Sequence, residues 1–172
     1  MVNDSIIKEY PNEIPLNTVR TWANEILTET HWQHTAWSGN PKEPFRHWCN
    51  YTDMLKYPIR DIWNCIEYSL KEDGYNLDPN RIILNLYNHG DSSWLHQDSK
   101  NPQHHTVIVY LNDFWDLNWG GFTIFVEDGE IIHTTAPKPG KFVIFKSNML
   151  HGPTAVSREA PYPRLGLTFQ CT

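Results

Sequence analysis

The tripeptide His96-Gln97-Asp98 places a histidine and a carboxylate two residues apart. Side chains alternate between faces along an extended strand, so this spacing projects both groups to one side. A third candidate ligand, His151, stands at the end of a later apolar run. Two imidazoles and one carboxylate on one face of a divalent metal leave the opposite positions open, the arrangement with which non-haem iron(II) meets O2. The chain holds nine histidines, so an H-x-D alone carries little weight and its surroundings decide.

A second set of residues bears on the same chemistry. Arg164 opens the apolar run Arg164-Leu-Gly-Leu-Thr-Phe169, and Thr168 and Gln170 share its strand face. A guanidinium turned toward a core is very costly unless an anion pairs with it. Its planar fork matches a carboxylate in bidentate fashion. The alternatives are that Arg164 faces solvent or pairs with a local acid such as Glu159. Arg158, in the proline-rich stretch after His151, is a rival for an anionic ligand.

These residues must be positioned by a β-rich second half. The runs 81–87, 106–111, 122–126, 130–134, 141–145 and 164–169 are short and rich in Val, Ile and Phe, and Asp-Gly, Gly-Gly, Pro-Gly and His-Gly turns punctuate them. Many short strands without intervening helical periodicity predict an antiparallel sandwich or barrel. Residues 1–80 read as helical and irregular. Leu16, Val19, Ala23, Ile26 and Leu27 form a helical stripe within 16–30, with Asn17 or Thr18 near its start. Leu55, Ile59, Ile62, Trp63, Ile66 and Leu70 form another within 51–73, which Gly74 stops and which Pro58 could open. Residues 31–49 read as a loop pinned by aromatic side chains. The expectation is one domain over 1–172, with helical support in 1–80 and a β core in 81–172.

Composition excludes several function classes. The net charge is -6 with no block of Lys or Arg, so a nucleic-acid partner is not expected. Three cysteines without a C-x-x-C spacing point to reduced thiols in a cytoplasmic setting. No apolar run approaches the ~20 residues of a membrane span, and Met1–Ile6 lacks the regions of a signal peptide. The oligomeric state is not readable.

The motifs Tyr87-x8-His96-x-Asp98, Val107-Ile-Val-Tyr-Leu-Asn-Asp113, Trp119-Gly-Gly-Phe-Thr-Ile-Phe125, Pro139-Gly-Lys-Phe-Val-Ile-Phe145, His151 and Arg164-x-x-x-Thr168 follow one another in order. Together they resemble the prolyl 4-hydroxylase-like branch of the 2-oxoglutarate/iron(II)-dependent dioxygenases. The resemblance implies a mainly β fold with N-terminal helices, its double-stranded β-helix (jelly-roll) core packed against them. It implies Fe(II) bound by His96, Asp98 and His151, with 2-oxoglutarate and O2 as co-substrates. Arg164 and Thr168 would contact 2-oxoglutarate, with hydroxyl contacts from Tyr87 and Tyr110. The implied reaction hydroxylates an unactivated C–H bond of a peptidyl or free amino acid and releases succinate and CO2. Asp98 favours hydroxylation over halogenation, because related halogenases lack this carboxylate. Trp94, which shares a strand face with His96, and Gln170 are candidate substrate contacts.

Three other readings compete. Relatives that dealkylate nucleic acids carry a second arginine six residues after the first, where this chain has Gln170. A cupin-like zinc or nickel protein, acting as isomerase or sensor, would have no use for Arg164. A catalytically dead binding module would not need all three ligands and the arginine together.

Overall fold

The structure is a computed structural model that describes residues 7–35 and 46–172. In chain order its elements are β1 (Ile7–Tyr10), α1 (Leu16–Glu29), β2 (Gln33–Thr35), β3 (His47–Thr52), α2 (Ile59–Glu72), β4 (Pro79–Tyr87) and β5 (His105–Tyr110). They continue with β6 (Thr123–Glu127), β7 (Glu130–Thr135), β8 (Phe142–Lys146), β9 (Leu150–Pro153) and β10 (Arg164–Cys171). Seven strands form one sheet in the order β1-β8-β5-β10-β4-β3-β2, and three form a second in the order β7-β6-β9. Every pairing is antiparallel. The result is the jelly-roll anticipated from the turn-punctuated β runs.

The helices make one outer layer. α1 buries Val19, Trp22 and Ile26, and α2 buries Ile59, Ile62, Trp63, Ile66 and Leu70, both at three- and four-residue spacing. These side chains share one core with Leu84 and Leu86 of β4, Val107 and Val109 of β5, Ile144 of β8, and Leu165, Leu167 and Phe169 of β10. The residues between them turn to the opposite face by strand alternation. Ile108, Tyr110, Val143 and Phe145 meet Phe125 of the small sheet there. β10 has β4 and β5 on its two sides and is buried at every residue. Such a strand is apolar or specifically paired on both faces.

The first 80 residues depart from expectation. They contribute β1, β2 and β3 to the large sheet, so they are not helix and loop alone. β3 occupies 47–52, of which 47–49 were read as loop and Tyr51–Thr52 as the start of a helix. The helix itself opens where Pro58 was expected to open it, with Pro58 as N-cap and Ile59 as first residue, so Leu55 of the expected stripe lies outside it and is exposed. α1 matches its predicted span, but Pro15 caps it without a side-chain hydrogen bond, and Asn17 and Thr18 lie inside the first turn. The part of the expected loop at 36–45 lies outside the described residues.

Candidate active site

His96 and His151 are brought together by backbone pairing. The His96 N–H donates to the His151 carbonyl at 2.9 Å, and the His151 N–H returns the bond at 3.0 Å. His96 is thus an isolated bridge to β9, and Asp98 follows at a bend. The regular strand expected for the tripeptide is absent; the cross-strand bridge to His151 does the positioning. The Nδ1 of each imidazole lies on a backbone carbonyl, Trp94 O at 2.8 Å for His96 and Met149 O at 3.0 Å for His151. A carbonyl only accepts, so both Nδ1 atoms carry the proton and each Nε2 presents its lone pair.

Those lone pairs converge on Asp98. His96 Nε2 lies 3.6 Å from Asp98 Oδ1 and His151 Nε2 lies 3.5 Å from Oδ2. The three ligand atoms all fall within 4.8 Å of one another. Metal–nitrogen and metal–oxygen bonds of about 2 Å make such spacings bridgeable by one cation. Burial pushes the His151 imidazole down to about 4, which keeps it neutral and available as a ligand. Burial alone would raise the Asp98 carboxyl, but its surroundings, the donated Thr106 hydroxyl among them, hold it below the ordinary range. The donor set fits a divalent metal: two neutral imidazoles, one carboxylate, and fixed tautomers.

Both Asp98 oxygens are also engaged from behind. Gln170 Nε2 donates to Oδ1 at 2.8 Å, and Thr106 Oγ1 donates to Oδ2 at 2.7 Å. Ser147 Oγ stands 2.8 Å from the Thr106 hydroxyl. The structure therefore places Gln170 against Asp98, with one of its two amide N–H groups on the carboxylate. Thr106 and Ser147 were not singled out from sequence, because hydroxyls on apolar strands give no local signal of a distant carboxylate.

Arg164 lies in the same pocket, lined with Tyr87, Asn85, Thr123, Gly152, Gly166 and Thr168. It is only 4 % exposed, and no carboxylate pairs with it among the described residues. Its Nη2 donates to Thr123 Oγ1 at 2.9 Å, while its Nε has no partner among the described residues. The rings of Tyr87 and Tyr110 each lie 5.3 Å from the guanidinium carbon. The Tyr110 hydroxyl meets Thr123 at 2.7 Å. A buried cation resting on two aromatic faces still lacks the anion that would balance it. Arg158 is no rival inside the pocket: it is exposed and paired with Glu159 at 3.2 Å.

Trp94 is 53 % exposed, and its carbonyl holds the His96 ring. His104 bonds Ser99, His89 bonds the Val156 carbonyl, and His133 bonds Glu9, so each has a structural partner. Trp115 donates to the Gly120 carbonyl and packs with Trp119 and Tyr162 below Tyr87. His47, which the sequence offers as one of several histidines in the aromatic-pinned loop, and Asn85, which it does not single out, sit 3.0 Å apart next to the pocket.

A family model described as the 2OG-Fe(II) oxygenase superfamily matches residues 82–170, just over half of the 172-residue chain. The chain belongs to that superfamily. Fe(II), 2-oxoglutarate and O2 are accordingly the metal and co-substrates of this oxygenase. No curated protein sequence matches it. Among solved structures it resembles a prolyl-4-hydroxylase from Pseudomonas putida, with 20 % identity and a TM-score of 0.76, covering 95 % of this chain and 91 % of the other. A prolyl hydroxylase from Trichoplax adhaerens, solved with a hypoxia inducible factor peptide fragment, gives 13 % identity and 0.75, covering 96 % and 82 %. A collagen prolyl hydroxylase of Paramecium bursaria Chlorella virus-1, in its 2OG complex, gives 13 % and 0.70, covering 96 % and 94 %. At these identities the oxygenase shares their fold. Membership also displaces the cupin-like alternative, and no helix is long and apolar enough to cross a membrane among the described residues.

Proposed function

We propose that His96, Asp98 and His151 hold the Fe(II) and that Arg164 takes the distal carboxylate of 2-oxoglutarate. In this reading Tyr87, Tyr110 and Thr168 complete the co-substrate pocket. The observation that carries it is a buried guanidinium without a carboxylate among the described residues, opening on the same cavity as two histidines whose Nδ1 atoms are held on backbone carbonyls and whose Nε2 atoms face Asp98. When bound, the metal supplies O2 activation coupled to oxidative decarboxylation of 2-oxoglutarate, which yields succinate and CO2. The protein's residues do the rest. Arg164 orients the co-substrate by a charge-assisted pair, the ligand tautomers stay fixed through the two backbone carbonyls, and the apolar inner face excludes water.

We infer hydroxylation of an aliphatic C–H bond in a peptidyl or free amino acid, with proline as the first choice. The support is the fold shared with three prolyl hydroxylases and the presence of the Asp98 carboxylate in the candidate ligand set. The continuous core joining both helices to the large sheet favours a single domain over 1–172. Three free thiols, Cys49, Cys65 and Cys171, favour a reducing, cytoplasm-like compartment.

Anaerobic titration with Fe(II) and then 2-oxoglutarate tests the cofactor assignment. The visible charge-transfer band of the chelate should develop in wild type, and Arg164→Ala should need far more 2-oxoglutarate to produce it. Absence of the band in wild type would overturn the assignment. Succinate release with proline-containing peptides against free amino acids then decides the substrate class.

A further inference from the structure

Three residues form a hydrogen-bond chain whose direction can be deduced. Asn85 Nδ2 lies 3.1 Å from Thr168 Oγ1 and 3.4 Å from the Ile83 carbonyl, while Asn85 Oδ1 lies 3.0 Å from His47 Nε2. A carbonyl oxygen accepts only, so the atom facing Ile83 must be the amide nitrogen. That choice fixes everything else. Asn85 Oδ1 must accept, so His47 carries its proton on Nε2. Thr168 Oγ1 accepts from Asn85, so its own proton points elsewhere.

The ends of the chain are consistent with this direction. His47 Nδ1, the lone-pair nitrogen of that tautomer, is buried without a partner among the described residues. Burial pushes the imidazole down to about 4, so it is neutral. Thr168 is 8 % exposed, lines the pocket that holds Arg164, and donates to no group among the described residues. Between Arg164 and Thr168 stands Gly166, which has no side chain to obstruct the path; a Cβ there would meet Arg164 Nη1 at 3.9 Å. His47 also stacks flat on Tyr87, with centroids 4.5 Å apart and planes at 11°.

We propose that His47 and Asn85 are positioning residues for the co-substrate: they orient Thr168 as a hydrogen-bond donor to a carboxylate oxygen of 2-oxoglutarate, and His47 also fixes the Tyr87 ring. This deepens the functional reading above and rests on it. One strand that contributes no metal ligand, β3, thereby controls two contacts of the co-substrate pocket.

The test is calorimetric titration of 2-oxoglutarate into Mn(II)-loaded protein without O2, so that affinity is read apart from turnover. Thr168→Val should weaken 2-oxoglutarate about tenfold, the loss expected for one hydrogen bond to a charged group. Asn85→Asp should weaken it at least as much, because a carboxylate draws the Thr168 proton toward itself. Asn85→Leu should weaken it a few-fold alone and add nothing to Thr168→Val. His47→Phe, which keeps the stacked ring and removes the Nε2 donor, should do the same, with Mn(II) affinity unmoved in each variant. Full additivity of Asn85→Leu with Thr168→Val, or wild-type affinity in Asn85→Asp, overturns the inference while Arg164→Ala still weakens binding. Wild-type protein that takes Mn(II) but no 2-oxoglutarate overturns the functional reading itself.

Discussion

Gln170 donates a 2.8 Å hydrogen bond to Asp98 from a strand 72 positions further along the chain. With Thr106 on the other oxygen, the carboxylate is held in one rotation before any metal arrives. Outer partners of this kind typically govern metal affinity by about 10–100-fold. Gln170→Leu and Thr106→Val should each lower Fe(II) or Mn(II) affinity by about that factor, measured by competition with a chelating dye. Unchanged metal affinity with a raised substrate KM would return Gln170 to the substrate role that its strand face suggested.

Gly121 supports Arg164 by being small. It has φ +65°, and a Cβ would lie 3.0 Å from the Trp115 ring and 3.1 Å from Arg164 Cδ. Gly121→Ala should cost about 1–2 kcal/mol from the left-handed backbone alone. It should also displace the Arg164 stem, so that the KM for 2-oxoglutarate rises more than kcat falls. Equal 2-oxoglutarate affinity in the two proteins would show that the stem yields without moving the guanidinium.

A second charged cluster ties β1 to the rest of the fold. Glu9 accepts from Lys141 at 2.6 Å, from Thr135, and from His133 at 3.0 Å. Burial alone would raise the Glu9 carboxyl, but these three partners hold it below its ordinary range. A depressed carboxylate stabilises the fold above its unfolded value of about 4.3 and loses that contribution as pH falls through the folded value. Glu9→Gln should therefore cost about 2 kcal/mol at neutral pH. The difference between variant and wild type should shrink below about pH 4. Thermal melts at pH 7 and pH 3.5 or so read both halves; a gap that widened in acid would contradict the assignment.

Ile66 is fully buried between α2 and the large sheet. Ile66→Ala should cost about 2–5 kcal/mol, as for other deep cavities. In a chain of this size that corresponds to a melting shift of roughly 10 °C. Affinity for metal and 2-oxoglutarate, measured well below the melt, should stay within about twofold.

Legibility of the fold followed locality. β4 to β8 and β10 announced themselves because their Val, Ile and Phe runs are bounded by turns. β3 did not, because its buried face carries His47 and Cys49, and a polar residue facing inward breaks the expected alternation. β1 has four residues and owes its conformation to β8, a partner its own sequence does not disclose. The face shared by Arg164, Thr168 and Gln170 could be read from parity alone. What that face meets could not, since Asp98, Asn85 and Thr123 reach it through long-range pairing.

β10 alternates between two tasks at single-residue resolution. Leu165, Leu167 and Phe169 belong to the helix-side core, while Arg164, Gly166, Thr168 and Gln170 face the cavity. For anyone re-engineering this oxygenase, the even-numbered positions form one dial and the odd-numbered positions another. Diversity introduced at the even sites explores new ligands on an intact scaffold, whereas the same diversity one position over is spent on whether the scaffold stands.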